Sequence, residues 1–242
     1  MMRLPQLSIR QWLMIALLLL TLLILFMPMR WAVGMASGPG FSASGADGTI
    51  WSGRVHEVRL GKLSIGTVNA RIRPLGLLAG RIGYRFDQPV IGGSPGLHGS
   101  ISKSYGGISL EGLSGAVPVA NIIPGFASAQ IEFDNVSVAY SNGKCQTASG
   151  SVRARPDGQI FAVLGLDAGL LGRVSCEAGD MLLPQTSGSG MERLELRVSA
   201  DGRYRASLQL QQPAAEAAPL LSMAGFASIA GGFRKTGKGR FW

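Results

Sequence analysis

Negative charge, histidine and cysteine are all scarce in this chain, and each shortage removes a class of function. Asp and Glu together number 14 against 23 Lys and Arg in 242 residues, a net charge of +9. The acid pairs Glu132/Asp134 and Glu192/Glu195 stand outside any Gly-rich acidic loop that would hold calcium. The two histidines, His56 and His98, lie far apart in strand-like runs, with no Ser or Cys and third orienting group placed beside either. Cys145 and Cys176 are the only cysteines, and their spacing is not that of a zinc site. Charged residues make up 15% of the chain and hydrophobic ones 46%, which excludes disorder for its bulk. The 35 glycines follow no Gly-X-Y period and read as turns and bends between many short strands.

Two apparent motifs fail on their surroundings. Gly92-Gly93-Ser94-Pro95-Gly96 has Gly-x-Ser-x-Gly spacing, but a nucleophile elbow must pass from strand into helix, and Pro95-Gly96 followed by a strand supplies none. Residues 232–238 have phosphate-loop spacing, yet Gly239 stands where Ser or Thr would hold magnesium, so this segment reads as a flexible basic tail. The basic residues are otherwise dispersed among acids, except Arg234, Lys235, Lys238 and Arg240. That distribution argues against nucleic acid and suits a solvated surface that tolerates anionic lipid head groups. No catalytic activity, metal, cofactor or small-molecule substrate is expected.

Between Arg10 and Arg30 every residue is uncharged. A helix needs about 20 apolar residues to cross roughly 30 Å of hydrocarbon, so residues 11–30 are expected to form one transmembrane anchor. Ala32-Val33-Gly34 and Gly34-Met35-Ala36 are imperfect cleavage sites and the apolar core is long, which favours an uncleaved anchor over a signal peptide. Arg3, Arg10 and the amino terminus outweigh Arg30, so residues 1–10 are expected in the cytoplasm and the rest exported. In an oxidising compartment Cys145 and Cys176 are expected to pair. Residues 31–48 read as a juxtamembrane linker, with the small polar stretch 36–48 alternatively a first loose strand, and 49–242 as a β-rich domain.

The chain is organised around Gly48-Thr49-Ile50-Trp51-Ser52-Gly53-Arg54, which sets one large aromatic between two glycines. Alternating sequence follows through Ile72, which predicts two strands, and then a short helical turn in Pro74-Leu75-Gly76-Leu77-Leu78-Ala79-Gly80-Arg81. The alternation around Trp51 makes it an expected core anchor. Further strands are predicted over 82–89, 96–102, 108–113, 116–120, 129–140, 145–154, 160–166, 172–176, 180–183, 194–198 and 204–210. A bulge is predicted at Asp134-Asn135, and hairpin turns at Asn142-Gly143 and Asp201-Gly202. Residues 121–127 predict a brief helical turn, 214–230 a surface helix, and 239–242 a final strand. The uncharged run 217–233 leaves a second span open, although its Gly, Ala and Ser content argues against one.

The anchor, the Gly-Thr-Ile-Trp-Ser-Gly opening and the Pro-Leu-Gly-Leu-Leu-Ala-Gly-Arg connector together resemble protein N of the bacterial type II (general) secretion pathway. Cys176-Glu177-Ala178-Gly179 and the Asp201-Gly202-Arg203-Tyr204 hairpin extend the resemblance more weakly. It implies a mainly β, curved and largely antiparallel sheet with one or two short helices, similar to AsmA-like or β-taco proteins. Gly48, Thr49, Trp51, Gly53, Pro74, Leu77, Leu78 and Gly80 would be its structural motif residues. It further implies a single-pass inner-membrane protein with a periplasmic bulk, in contact with membrane lipid and with other secretion components at the inner-membrane platform or secretin. A periplasmic lipid-handling role is the alternative. Apolar residues on an uncovered sheet face would mark a lipid groove, whereas a face covered by Leu77-Leu78 and the late helix would mark a closed core.

Overall fold

The computed structural model describes residues 8–38, 40–61, 63–78, 80–89, 96–120, 128–157, 169–213 and 217–241. Four helices occur there: α1 (Ile9–Leu25), α2 (Met29–Ala36), α3 (Pro74–Leu78) and α4 (Ala218–Met223). The first strands are β1 (Phe41–Ser42), β2 (Gly45–Thr49), β3 (Ser52–Leu60), β4 (Leu63–Ile72), β5 (Ile82–Asp87) and β6 (His98–Ser104). The long central strands are β7 (Gly107–Ala120), β8 (Ser128–Ser141) and β9 (Lys144–Asp157). After them come β10 (Leu170–Arg173), β11 (Ser175–Glu177), β12 (Asp180–Thr186), β13 (Glu192–Val198), β14 (Arg203–Gln211), β15 (Ala227–Ile229) and β16 (Gly232–Arg240).

All of them join one antiparallel sheet in the order β1-β3-β4-β5-β6-β7-β8-β9-β10-β12-β13-β14-β16-β15, with β2 on β3 and β11 on β12. Alternation explains the pairing: on β14, Tyr204, Ala206, Leu208 and Leu210 are buried while Arg203 and Arg205 face solvent. The sheet covers its apolar face by curling. Tyr140 on β8 donates its hydroxyl to the Val198 carbonyl on β13 at 3.1 Å. Those strands stand four places apart in the order, which in a flat sheet would be about 19 Å. The main core accordingly joins Leu97, just before β6, to Leu113, Val136 and Val152 of β7, β8 and β9 and to Leu183 of β12. The path stays open, yet its ends approach: a Cβ on Gly61, in the β3–β4 turn, would run into the Phe241 carbonyl after β16.

Burial raises the Tyr140 phenol to about 12, and the Asp180 carboxylate pushes the same way. Below pH about 10, the unfolded value, folded and unfolded chains both hold this proton and its contribution is complete. As pH rises from there toward 12 the unfolded chain gives up the proton first, so stability falls across that window. Tyr140→Phe is expected to flatten the decline, read as denaturant midpoints at about pH 9 and about pH 11. Tyr84 and Tyr204, also raised by burial, add slope of the same sign.

Several expectations are corrected. The apolar run is not one helix over 11–30: α1 ends at Leu25 and Pro28, extended at φ −67°, ψ 140°, precedes the separate α2. Among the described residues no helix is long and apolar enough to cross a membrane. Residues 31–48 hold most of α2, which the linker reading does not anticipate, while β1 and most of β2 meet its alternative of a first loose strand. The late helix is six residues long, and a β-hairpin follows it, so 217–233 is no span. The supposed basic tail is β16, paired with β14 at every position from Gly232 to Arg240. Packing overrides composition there: Lys235 runs its stem among buried groups, donates to the Ala224 carbonyl and lies 5.5 Å from the Phe226 ring centre, and desolvation lowers its pKa.

The predicted bulge at Asp134-Asn135 is present, with Asn135 at φ 49° and a register shift before Ser137. Predicted strands 108–113 and 116–120 are one bulged strand, β7. Expectations for 121–127 and 160–166, for Ser94, and for Trp242 at the end of the last strand lie outside the described residues.

Candidate functional site

The residues of the opening motif converge where α1 reaches the sheet. Leu, Ile, Met and Ala favour a helix through α1, and the following Pro28, lacking an N–H, cannot extend it. A helix ends with its last carbonyls unpaired. Here the β2–β3 turn approaches them. The Trp51 indole Nε1 donates to the Ile24 carbonyl at 3.1 Å, and the Ile50 N–H donates to the Met27 carbonyl at 3.0 Å. Pro28 forms an antiparallel bridge with Thr49. Trp51 is therefore a half-exposed clasp on the helix end, not the core anchor that strand alternation suggested; it occupies the turn itself, where alternation does not apply.

The glycines permit the approach. Gly48 has φ +90°, and a Cβ on Gly53 would lie 2.6 Å from the Asp47 carbonyl and 2.9 Å from Met29 Cγ. Met29 is buried against Val55, Val58, Val68 and Ala70, with Ala32 and Val33 of α2 packed on the same cluster. Sequence reasoning missed Met29, Ala32 and Val33 because they sat inside a run read as membrane span and linker; their spacing of three and four was the available signal.

The second motif segment belongs to the same corner. The Ile72 N–H donates to the Trp51 carbonyl at 3.1 Å, and α3 begins two residues later. Gly80, at φ +66°, follows α3, and the Arg81 N–H returns to the Gly76 carbonyl at 2.8 Å. Arg73 ties the connector to β7 through Glu111 at 3.0 Å. Leu77 is 40% exposed.

Chemically this corner is a mechanical junction. A shallow polar depression of about 390 Å³ is lined by Asp47, Gly48, Ser52, Gly53, Arg54, Asn69 and Arg71. Arg54 Nε donates to Asn69 Oδ1 at 3.2 Å, and His56 Nε2 lies 2.8 Å from Asp47 Oδ2. His98 is exposed, with Nδ1 3.4 Å from the Gly96 carbonyl. Among the described residues no three His, Cys, Asp or Glu side chains group as metal ligands.

Cys145 and Cys176 are bonded, with Cα atoms 5.5 Å apart. The bridge spans a narrow seam of the sheet. There β9 meets β10 over four residue pairs, β10 meets β12 over two, and β11 meets β12 over three.

No curated protein and no solved structure matches the chain. A family model described as type II secretion system (T2SS), protein N matches residues 39–237, which takes in the motif, the connector, the bridged cysteines and all but the end of β16. The chain belongs to the type II secretion system protein N family.

Proposed function

We propose that this protein is a non-enzymatic accessory component of type II secretion, held in the inner membrane by α1 with its amino terminus in the cytoplasm. The β-sheet then stands in the periplasm and supports export of folded proteins across the outer membrane through contacts with other secretion components. Family membership carries the secretion role. The anchor reading rests on α1 itself, a seventeen-residue helix that carries no charge after Arg10 and buries no side chain. Such a helix rises about 26 Å, a few Å short of the hydrocarbon thickness, and short segments are accommodated by local thinning and snorkelling flanks. The disulfide agrees with an oxidising compartment. A lipid-carrying groove is less well supported, because the inward face of the central strands is filled by its own nearly water-free side chains.

In a strain lacking this protein, exoproteins are expected to accumulate in the periplasm, with secretion restored by the intact gene. Normal exoprotein levels in the medium of the deletion strain would remove the proposal. Resistance of the full chain to alkaline extraction from membranes checks the anchor separately.

A further inference from the structure

We propose that α2 and α3 lie in the membrane–water interface beside α1, forming a two-helix foot that seats the sheet on anionic lipid. This rests on the reading of α1 as a membrane anchor. The hydrogen bonds of the clasp bring the parts together: Trp51 holds the end of α1 by its indole and the end of β4 by its carbonyl, and α3 starts just beyond that point. α2 leaves from the same point, three residues after α1 ends.

Both helices present apolar side chains on their outer sides. On α2 the inner side, Met29, Ala32 and Val33, packs on the sheet. Beside Arg30 its outer side is apolar, with Trp31 62% and Met35 74% exposed and one turn apart. α3 has no polar side chain, and Leu75 is 80% exposed. A helix apolar on both sides is stable where both sides are covered, by protein on one and by acyl chains on the other. Tyr105, wholly exposed at the β6–β7 turn, lies at the same end of the sheet, since Ile82 pairs with Lys103. Tyr and Trp favour the interfacial zone.

Charge selects the lipid. Arg30 on α2 and Arg81 beyond α3 are exposed, and neither makes an ion pair among the described residues, whereas Arg73 is matched by Glu111. Cations rimming an apolar face suit phosphate head groups, and an anionic surface adds attraction for each. A protein partner would leave the same surface covered only in a complex. Continuity with α1 puts lipid there in every molecule.

The test uses the full chain reconstituted in vesicles of phosphatidylethanolamine and phosphatidylglycerol. An environment-sensitive fluorophore is attached at Met35→Cys, at Leu75→Cys, or at Ser64→Cys. Ser64 lies eight residues along β4 from Ile72, about 27 Å away at strand rise. Labels at 35 and 75 are expected to shift to the blue and to be quenched most by a nitroxide roughly 5–10 Å below the phosphates. The label at 64 should keep its aqueous emission. The shifts should shrink in pure phosphatidylcholine and on Arg30→Gln with Arg81→Gln. Aqueous emission at both 35 and 75 in a protein that resists alkaline extraction would overturn the foot and leave the anchor standing. Release of the protein by alkali would overturn both.

Discussion

Replacing Cys145 and Cys176 together by alanine is expected to lower stability by about 3–4 kcal/mol, the chain-entropy value for a loop of this length. The bridge closes a separation of 31 residues. For a domain of this size that corresponds to a fall in melting temperature of roughly 10 °C. The location makes the loss cooperative rather than local. β11 is three residues long and pairs only with β12, and the Cys145 N–H to Gly179 carbonyl bond of 2.7 Å is a backbone tie across the same gap. Without the bridge, the backbone ladder between the half of the sheet built on β7, β8 and β9 and the half built on β12, β13 and β14 runs through four-residue β10, beside the side-chain core the two halves share. Denaturant unfolding of the variant, compared with wild type under reducing and non-reducing conditions, checks this. Reductant should shift the wild type toward the variant and leave the variant unchanged, while identical midpoints throughout would rule out a stabilising bridge.

Leu221→Ala is expected to destabilise by about 2–5 kcal/mol, the range for removing a buried leucine and leaving its cavity. Leu221 is 0% exposed and is the point by which α4 grips the sheet, among Leu170, Leu208, Leu210, Ala217 and Phe226. Its neighbour Leu220 is 51% exposed, so Leu220→Ala serves as the matched control, expected near the small changes typical of surface sites. Circular dichroism melts of the two variants separate the cases. Equal effects would mean that α4 does not pack as described. A six-residue helix has too few internal hydrogen bonds to persist alone, so this one contact governs whether it stays on the sheet.

The two hairpins show how much local chemistry can decide. Asn142 and Gly143 have φ of 50° and 72°, the left-handed pair that Asn-Gly tolerates at a tight turn, and β8 and β9 pair from there to Ser128 and Asp157 with register shifts next to Tyr140 and at Asp134-Asn135. Asp201 accepts the Arg203 N–H at 3.1 Å, which holds the second turn, and that bond together with the Arg203 guanidinium keeps its carboxyl below the usual range. Both turns were legible because their determinants lie within four residues. Most of β16 was not: residues 232–238 read as a tail until β14 is set beside them, although a final strand is expected from Gly239 on, and Lys235 and Lys238 are paired with residues some thirty positions earlier.

Trp51 divides the two kinds of information most sharply. Its flanking glycines and the alternation after it mark a turn entering a strand, and the motif they form is carried by sequence alone. What the indole touches is not, because Ile24 lies 27 residues away and the contact exists only once α1 stops and the β2–β3 turn folds back on it. The amino-acid order by itself determined the β alternation, the turns, the cysteine pair and the apolar run, since each depends on side chains within a few residues or on composition. The tertiary structure alone decided where the run breaks from the sheet, which face α2 and α3 leave open, and that the basic end is a strand. Those outcomes depend on backbone groups brought together across the chain, whose hydrogen bonds local propensity cannot assign.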